Sequence, residues 1–210
     1  MDILNNIESR YSCRSFKSKK PSMTVISQIL EYAIKAPNAG NLHSFRFVIV
    51  DHEDLKLELA KACMDQLWIA QAPYVIVIYY DEVSLKKYYE KNAEKYGKQD
   101  ASVVGAFISL LAKEFNLDSC FVSAFDEEEV SRITRVPDNV HPEVIIPIGY
   151  SDENKKKQEY RPSIDLLSFY NEFGKKGFRE TIEDKVKNTS KKTSKKLSNF
   201  NKLKEIFKKN

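Results

Sequence analysis

Two arginines and a serine recur at alternate positions near the start of the chain: Arg10, Ser12 and Arg14, within the stretch SRYSCRSF from Ser9 to Phe16. In extended or irregular backbone, alternate residues point the same way, so two guanidinium groups and a hydroxyl can converge on one anion. The same pair would equally serve as solvated charges on a surface turn. A second stretch, APNAGNLHSFRFVIV from Ala36 to Val50, runs through a small-residue loop into an apolar segment. Asn38 and Asn41 offer amide donors and acceptors there, while Ala39 and Gly40 let a planar ligand approach the backbone. The alternative is an ordinary helix-to-strand turn, for which Asn and Gly are common choices. A third stretch, NLDSCFVSAFD from Asn116 to Asp126, follows a long apolar segment, and Arg161 stands before Pro162 as a third cation.

Other chemistries lack their residues. The six glycines form no Gly-x-Gly-x-x-Gly and no Walker-type loop, so a bound phosphate must be met by side-chain cations. No Gly-x-Ser-x-Gly elbow or His-Glu-x-x-His is present. Three histidines, widely spaced, and three cysteines without a Cys-x-x-Cys pair argue against zinc or an iron–sulfur cluster, and no metal is expected. The first six residues lack the pattern of a signal peptide, so Cys13, Cys63 and Cys120 read as reduced thiols in a cytoplasmic protein.

The net charge of +4 is unevenly placed. From Glu180 to Asn210 ten lysines face four acids, a surplus of six, which leaves −2 for the rest of the chain. A nearly neutral body does not suggest nucleic-acid binding. At 42% hydrophobic over 210 residues the chain can bury a sizeable core, and its longest apolar runs are too short to span a membrane.

These residues must be positioned by an alternation of helices and strands. A first helix contains Ile3, Leu4 and Ile7. Val25, Ile26, Ile29, Leu30, Ala33 and Ile34 keep a helical period after Ser22 or Thr24 and stop before Pro37. Phe45–Val50 and Tyr74–Tyr80 are β-branched and aromatic, hence strands, and Cys120–Val122 and Val144–Ile148 read as two more. Asp100–Phe115 is a long helix with almost no polar face, which places it mid-fold or at a subunit interface. Glu127–Arg135 is a further helix. Strands interleaved with helices imply a central sheet covered by helices. Beyond Thr181 the Ser, Thr and Lys composition predicts a linker, then a short basic amphipathic helix along Leu197, Phe200, Leu203 and Phe207. Its stripe packs on protein or meets anionic lipid or nucleic acid.

In this order and spacing the chain resembles the FMN-dependent nitroreductase family. An Arg-x-Ser-x-Arg-x-Phe element is matched by Arg10, Ser12, Arg14 and Phe16. An Ala-Pro-Ser-Ala-x-Asn element, continuing to Phe-Val, is matched by Ala36, Pro37, Ala39, Asn41, Phe47 and Val48. A Leu-Gly-Ser-Cys turn ending in Phe-Asp is matched by Leu117, Ser119, Cys120, Phe125 and Asp126, and a closing Gly-Tyr then Arg-Pro by Gly149, Tyr150, Arg161 and Pro162. Departures stand at Asn38, His43 and Ser44-Phe45, at Asn116 and Asp118 in place of glycines, and at Ser123-Ala124. Asp118 would add a charge if it faced the flavin ring.

The resemblance implies an α+β fold, a three-layer α/β/α sandwich with a mostly antiparallel central sheet, over residues 1–179, followed by a lysine-rich tail over 180–210. It implies a homodimer with FMN at the interface, NADPH or NADH as reductant, and a ping-pong hydride transfer to nitro compounds, quinones or similar small-molecule acceptors. Arg10 and Arg161, with Ser12, would hold the phosphate, and Arg14 would face the N1–C2=O edge of the ring. Tyr11, Pro37, Asn38, Ala39 and Asn41 would contact the cofactor, the Pro37–Asn41 loop from the opposite subunit, and the backbone at Ser123 and Ala124 would approach N5. No catalytic side chain is assigned. His43 is a proton donor or a satisfied loop residue, and Cys13 an incidental thiol. Two other functions stay open: a flavin-binding sensor or carrier without turnover, and a scaffold recruited to membrane or RNA through its basic tail.

Overall fold

The computed structural model describes residues 3–152 and 160–175. The chain divides into two compact units, Met1–Lys157 and Gln158–Asn210. In the second, the described residues hold one short helix, Ile164–Leu167, begun by Ser163 as N-cap. The linker and amphipathic stripe expected beyond Thr181 lie outside the described residues.

The first unit is organised by a four-stranded sheet. Its strands are β1 (Phe45–Val50), β2 (Tyr74–Asp81), β3 (Asp118–Ser119) and β4 (Val140–Gly149), in the order β1-β2-β4-β3 with every neighbour antiparallel. β2 is buried from Tyr74 to Tyr80, as expected of a central strand covered on both faces. Alternation then sorts its side chains. Tyr74, Ile76 and Ile78 join Phe45, Val144, Ile146 and Ile148 on one face, beneath α2 (Met23–Ala33) and α5 (Ala93–Glu114). Val75, Val77 and Tyr79 join Val50 and Ile145 on the other, beneath α3 (Glu53–Ala62) and α6 (Glu127–Thr134). Each fully buried aliphatic side chain contributes roughly 1.5–3 kcal/mol of transfer free energy. This is the α/β/α sandwich expected of the α+β class.

Local rules set the helix ends. Ser22 caps α2 by accepting the Val25 N–H at 3.4 Å, and Ile26, Ile29 and Ala33 keep its inner face apolar. Asp126 caps α6 by accepting the Glu129 N–H at 3.0 Å, while three glutamates fill the first turn, where the helix dipole favours them. Arg135 closes α6 at a positive φ of 54°.

Several elements differ from the sequence reading, among them β4, which begins at Val140 rather than Val144. α5 starts at Ala93 rather than Asp100, because Gly97 lets the helix lie against the Tyr80 ring and a Glu94–Lys98 pair at 2.7 Å supports its polar first turns. A Cβ at Gly97 would stand 2.3 Å from a Tyr80 ring atom. The strand expected at Cys120–Val122 sits earlier, at Asp118–Ser119, and Val122 keeps only an isolated bridge to Ile145. In α1 (Ile3–Ser9) the expected apolar face points outward: Ile3, Leu4 and Ile7 are exposed, and the buried residue is Asn6. Among the described residues no helix is long and apolar enough to cross a membrane.

Candidate functional site

The Arg10–Arg14 stretch runs beside the end of the sheet. Ser12 forms a parallel bridge with Ser119, and the Cys13 N–H donates to the Ser119 carbonyl at 3.1 Å. Tyr11 and Cys13 turn inward and pack with Phe16, Ala72 and Trp68. Arg10, Ser12 and Arg14 are left on the accessible side, the first two half-buried and the third exposed. The alternation expected from sequence is present. The Arg14 guanidinium lies over the Trp68 ring, 5.8 Å from its centroid. Burial pushes the Cys120 thiol above its ordinary range, while Arg14 and a hydrogen bond with Ser12 pull against that rise. Arg14, Ser12 and Cys120 thus share one neighbourhood. The Tyr11 hydroxyl donates to Ser151 Oγ at 2.7 Å, and burial raises its pKa. With that ring turned inward, the backbone of Tyr11 is the part left to meet a ligand. Cys13 is fully buried, its thiol donating to the Ser15 carbonyl at 3.2 Å.

Asp118 is neutralised from within. Lys113, in the last turn of α5, donates to Asp118 Oδ1 at 2.6 Å, and both side chains are largely buried. The ammonium also lies 5.8 Å from the Tyr11 ring centroid. The carboxylate that stands where the resemblance has a glycine is met by the Lys113 ammonium, so Asp118 offers little negative field to a bound anion.

The Ala36–Ser44 loop has a different anchor. Gly40, Asn41 and His43 all adopt positive φ (56°, 57° and 49°), a costly run for residues other than glycine. Asn38 holds it from inside: Oδ1 accepts the His43 N–H at 2.9 Å, and Nδ2 donates to the Ala36 carbonyl at 3.2 Å. The Asn38 amide is therefore spent on the shape of the loop, while Asn41 and Pro37 are exposed. The His43 Nδ1 lies 3.4 Å from Asn38 Nδ2, and its ring meets Phe45 edge-on, which fits the satisfied loop histidine. Asp100 on α5 holds the loop from outside. Oδ1 accepts the Ala39 N–H at 2.9 Å and Oδ2 the Ser44 hydroxyl at 3.1 Å. Tyr89, at the end of α4 (Glu82–Tyr89), sets its hydroxyl against Gly40, where a Cβ would lie 2.6 Å away. Sequence reasoning passed over Asp100, Tyr89 and Lys113. The one available signal was an acid and a base inside an otherwise apolar helix.

Ser123 and Ala124 are exposed, between the Val122 bridge and the Asp126 cap. Arg161 belongs to the second unit and is exposed there. The grooves flanking α6 take in Arg132, Arg135 and His141 and none of the residues expected to contact the cofactor.

One helix measures the distance between the two halves of the site. Lys113 joins the Arg10–Arg14 side through Asp118 and Tyr11, and Asp100 joins the loop side. Thirteen residues separate them on α5, about 20 Å along its axis at 1.5 Å per residue. Within one chain the two halves are held apart along this helix, one beside its middle and one at its last turn.

A family model described as the nitroreductase family matches residues 7–71 and 64–150, most of the first unit. The chain belongs to the nitroreductase family. It is 26% identical to an iodotyrosine deiodinase of Thermotoga neapolitana, over 79% of this chain and 96% of that protein. It is 25% identical to an NADH dehydrogenase of Thermus thermophilus, over 69% of this chain and 84% of that one. An FMN-dependent nitroreductase structure from Clostridium difficile superposes with a TM-score of 0.70 at 26% identity, over 81% of this chain and 99% of that one. Family membership places the chain with oxidoreductases.

Proposed function

We propose that this chain is an FMN-dependent oxidoreductase that takes hydride equivalents from NADH or NADPH and reduces nitro compounds, quinones or similar electron-poor acceptors. The observation that carries the reading is the row Arg10, Ser12 and Arg14 on the accessible side of a stretch bridged to Ser119, with the neighbouring Asp118 already paired to Lys113. Two fixed guanidinium groups and a hydroxyl, with the nearby carboxylate silenced, suit a ligand with a phosphate at one end and an electron-accepting ring at the other. The residues therefore fit FMN, which when bound supplies the two-electron hydride chemistry.

Arg10 and Ser12 take the phosphate. Arg14 sits at the ring edge where negative charge grows on reduction, so it favours the reduced cofactor over the oxidised one. Stacked against Trp68, its guanidinium is held in place ahead of binding. Pro37, Asn38, Ala39 and Asn41 contact the ring from a second copy of the chain. The roughly 20 Å of helix between Asp100 and Lys113 within one chain is consistent with that division. Apolar side chains for a subunit interface are exposed on α1 (Ile3, Leu4, Ile7), on α5 (Val103, Phe107) and at Phe121. Ser123 and Ala124 add only small groups at the open side, which leaves room for substrate. Asp118 no longer favours a flavin carrier without turnover, since its charge is met by Lys113.

The purified chain, loaded with FMN and mixed anaerobically with NADH or NADPH, should lose its yellow colour and recover it on adding a nitroaromatic or a quinone. Initial rates should follow ping-pong kinetics. Colour that persists with both nicotinamides would leave a binding protein, and a chain that takes up no FMN would remove the proposal altogether.

A further inference from the structure

Asp100 is among the few buried polar or charged residues of the first unit, only 4% exposed in the middle of a helix. Burying a carboxyl group there costs free energy that an apolar residue would not incur. Other buried charges of this unit have opposite partners. Lys113 meets Asp118, and Lys56 meets Glu53. Asp100 has no cation within ion-pair distance among the described residues. Its two hydrogen bonds both run to one loop, to the Ala39 N–H and the Ser44 hydroxyl, 61 and 56 residues away in the chain.

That loop is also where backbone strain collects, with Gly40, Asn41 and His43 at positive φ inside four residues. A strained segment persists only where its surroundings over-determine it. Here three restraints act from three directions: the Asn38 amide from inside, Asp100 from beneath, and the Tyr89 hydroxyl against Gly40. Ser44 is fully buried and would have no acceptor for its hydroxyl without Asp100. An apolar pair at positions 100 and 44 would hold the fold as well, but it would leave the Ala39 N–H undirected. The placement serves the shape of the loop.

We infer that Asp100 is a positioning residue, which holds the Asn38–Asn41 loop in its ligand-ready conformation before FMN arrives. This rests on the proposed role of that loop in contacting the cofactor. Asp100 does not touch FMN. It acts through the backbone of Ala39, and on the site completed by the partner copy. If the loop were free to relax, FMN would bind only the fraction of molecules with the loop in place, and the apparent Kd would rise by the inverse of that fraction.

The test compares wild type, Asp100→Asn, Asp100→Ala and Ser44→Ala by FMN affinity and by hydrogen–deuterium exchange of the loop amides in the FMN-free protein. Asparagine keeps an acceptor for the Ala39 N–H but turns the acceptor facing Ser44 into a donor, so Asp100→Asn should keep the Ala39 amide protected and bind FMN more tightly than Asp100→Ala. Asp100→Ala should lose affinity on the order of tenfold, with the competent loop population reduced to about a tenth, and the Ala39 amide should exchange faster. Ser44→Ala should fall between. A merely structural role would lower the melting temperature of Asp100→Ala and leave the Kd of its folded fraction unchanged, and that result overturns the inference. If Asp100→Ala does not fold, Ser44→Ala with unchanged loop exchange and unchanged Kd overturns it instead. A wild type that binds no FMN, yet whose Ala39 amide still loses protection in Ser44→Ala, would point to failure of the cofactor reading rather than of the clamp.

Discussion

Charge placement at single residues decides whether this site can hold a flavin. Arg14 is the residue whose role depends on redox state. If it faces the edge of the ring that becomes anionic, Arg14→Ala should weaken reduced FMN more than oxidised FMN and lower the two-electron midpoint potential. The scale is tens of millivolts, since about 30 mV corresponds to roughly 1.4 kcal/mol in a two-electron couple. Spectroelectrochemistry on the loaded protein checks this, and equal weakening of both redox states would remove the assignment. The Lys113–Asp118 pair makes a separate prediction. Removing one member of a buried pair strands the other charge, so Lys113→Met should destabilise the fold by about 3 kcal/mol. The double variant Lys113→Met/Asp118→Gly should recover much of that loss, as urea denaturation would show. From sequence, Arg10, Ser12 and Arg14 were legible because alternation is a local rule and the bridge to Ser119 preserves it. The partner of Asp118 was not, although only five residues away, because a strand pairing sets which way each side chain turns. Asp100 was less legible still, with partners more than fifty residues distant.

Elements follow their own logic. The strand Phe45–Val50 emerged with the limits read from sequence, and Tyr74–Asp81 ran one residue beyond, because β-branched and aromatic runs leave few alternatives, the more so in β2, which is buried on both faces. The start of α5 was misplaced by seven residues, since its first turns are polar and its close packing on Tyr80 depends on Gly97 rather than on hydrophobicity. The inverted α1 shows a different limit: an apolar stripe does not by itself say which face of a helix the chain buries. The entry to α4 yields a pH prediction. Asp81 caps this helix through the Val83 and Ser84 N–H groups and meets Arg46 at 3.0 Å. Burial pulls its carboxyl upward, but the bonds from Ser84 and the Arg46 charge outweigh that and hold it below the ordinary value. A lowered folded-state pKa means the ionised form stabilises the fold. That contribution is complete above the ordinary aspartate value of about 3.9 and is lost as pH falls below it through the folded-state value. Asp81→Asn keeps a cap but loses the charge, and should therefore cost about 0.3–1 kcal/mol at neutral pH, the range for an anion at a helix N-terminus. The gap from wild type should close in strong acid, as denaturation midpoints measured across pH would reveal.

For the whole molecule, the sandwich was readable in one chain, but the site was not. Sequence gathers residues by motif, whereas a 22-residue helix keeps the Asp100 and Lys113 ends of this site apart. Under the proposed function a second copy resolves the conflict, its loop meeting the arginine row of the first. Placing a charge on the outward apolar face, as in Ile7→Glu or Phe107→Asp, should shift the protein toward monomer in light scattering and release FMN in parallel. A monomer that kept its FMN would contradict the shared site.

The most direct measurement mixes two defective subunits. One carries Arg10→Ala and Arg14→Ala; the other carries Gly40→Val, which disorders the loop but leaves the arginines intact. Each alone should bind FMN poorly and turn over little. After unfolding and refolding together, mixed dimers should regain FMN and NAD(P)H-dependent reduction of a nitroaromatic, because one of their two sites unites an intact arginine row with an intact loop. A mixture no more active than its separate components, while light scattering shows that mixed dimers have formed, would contradict a site divided between two chains.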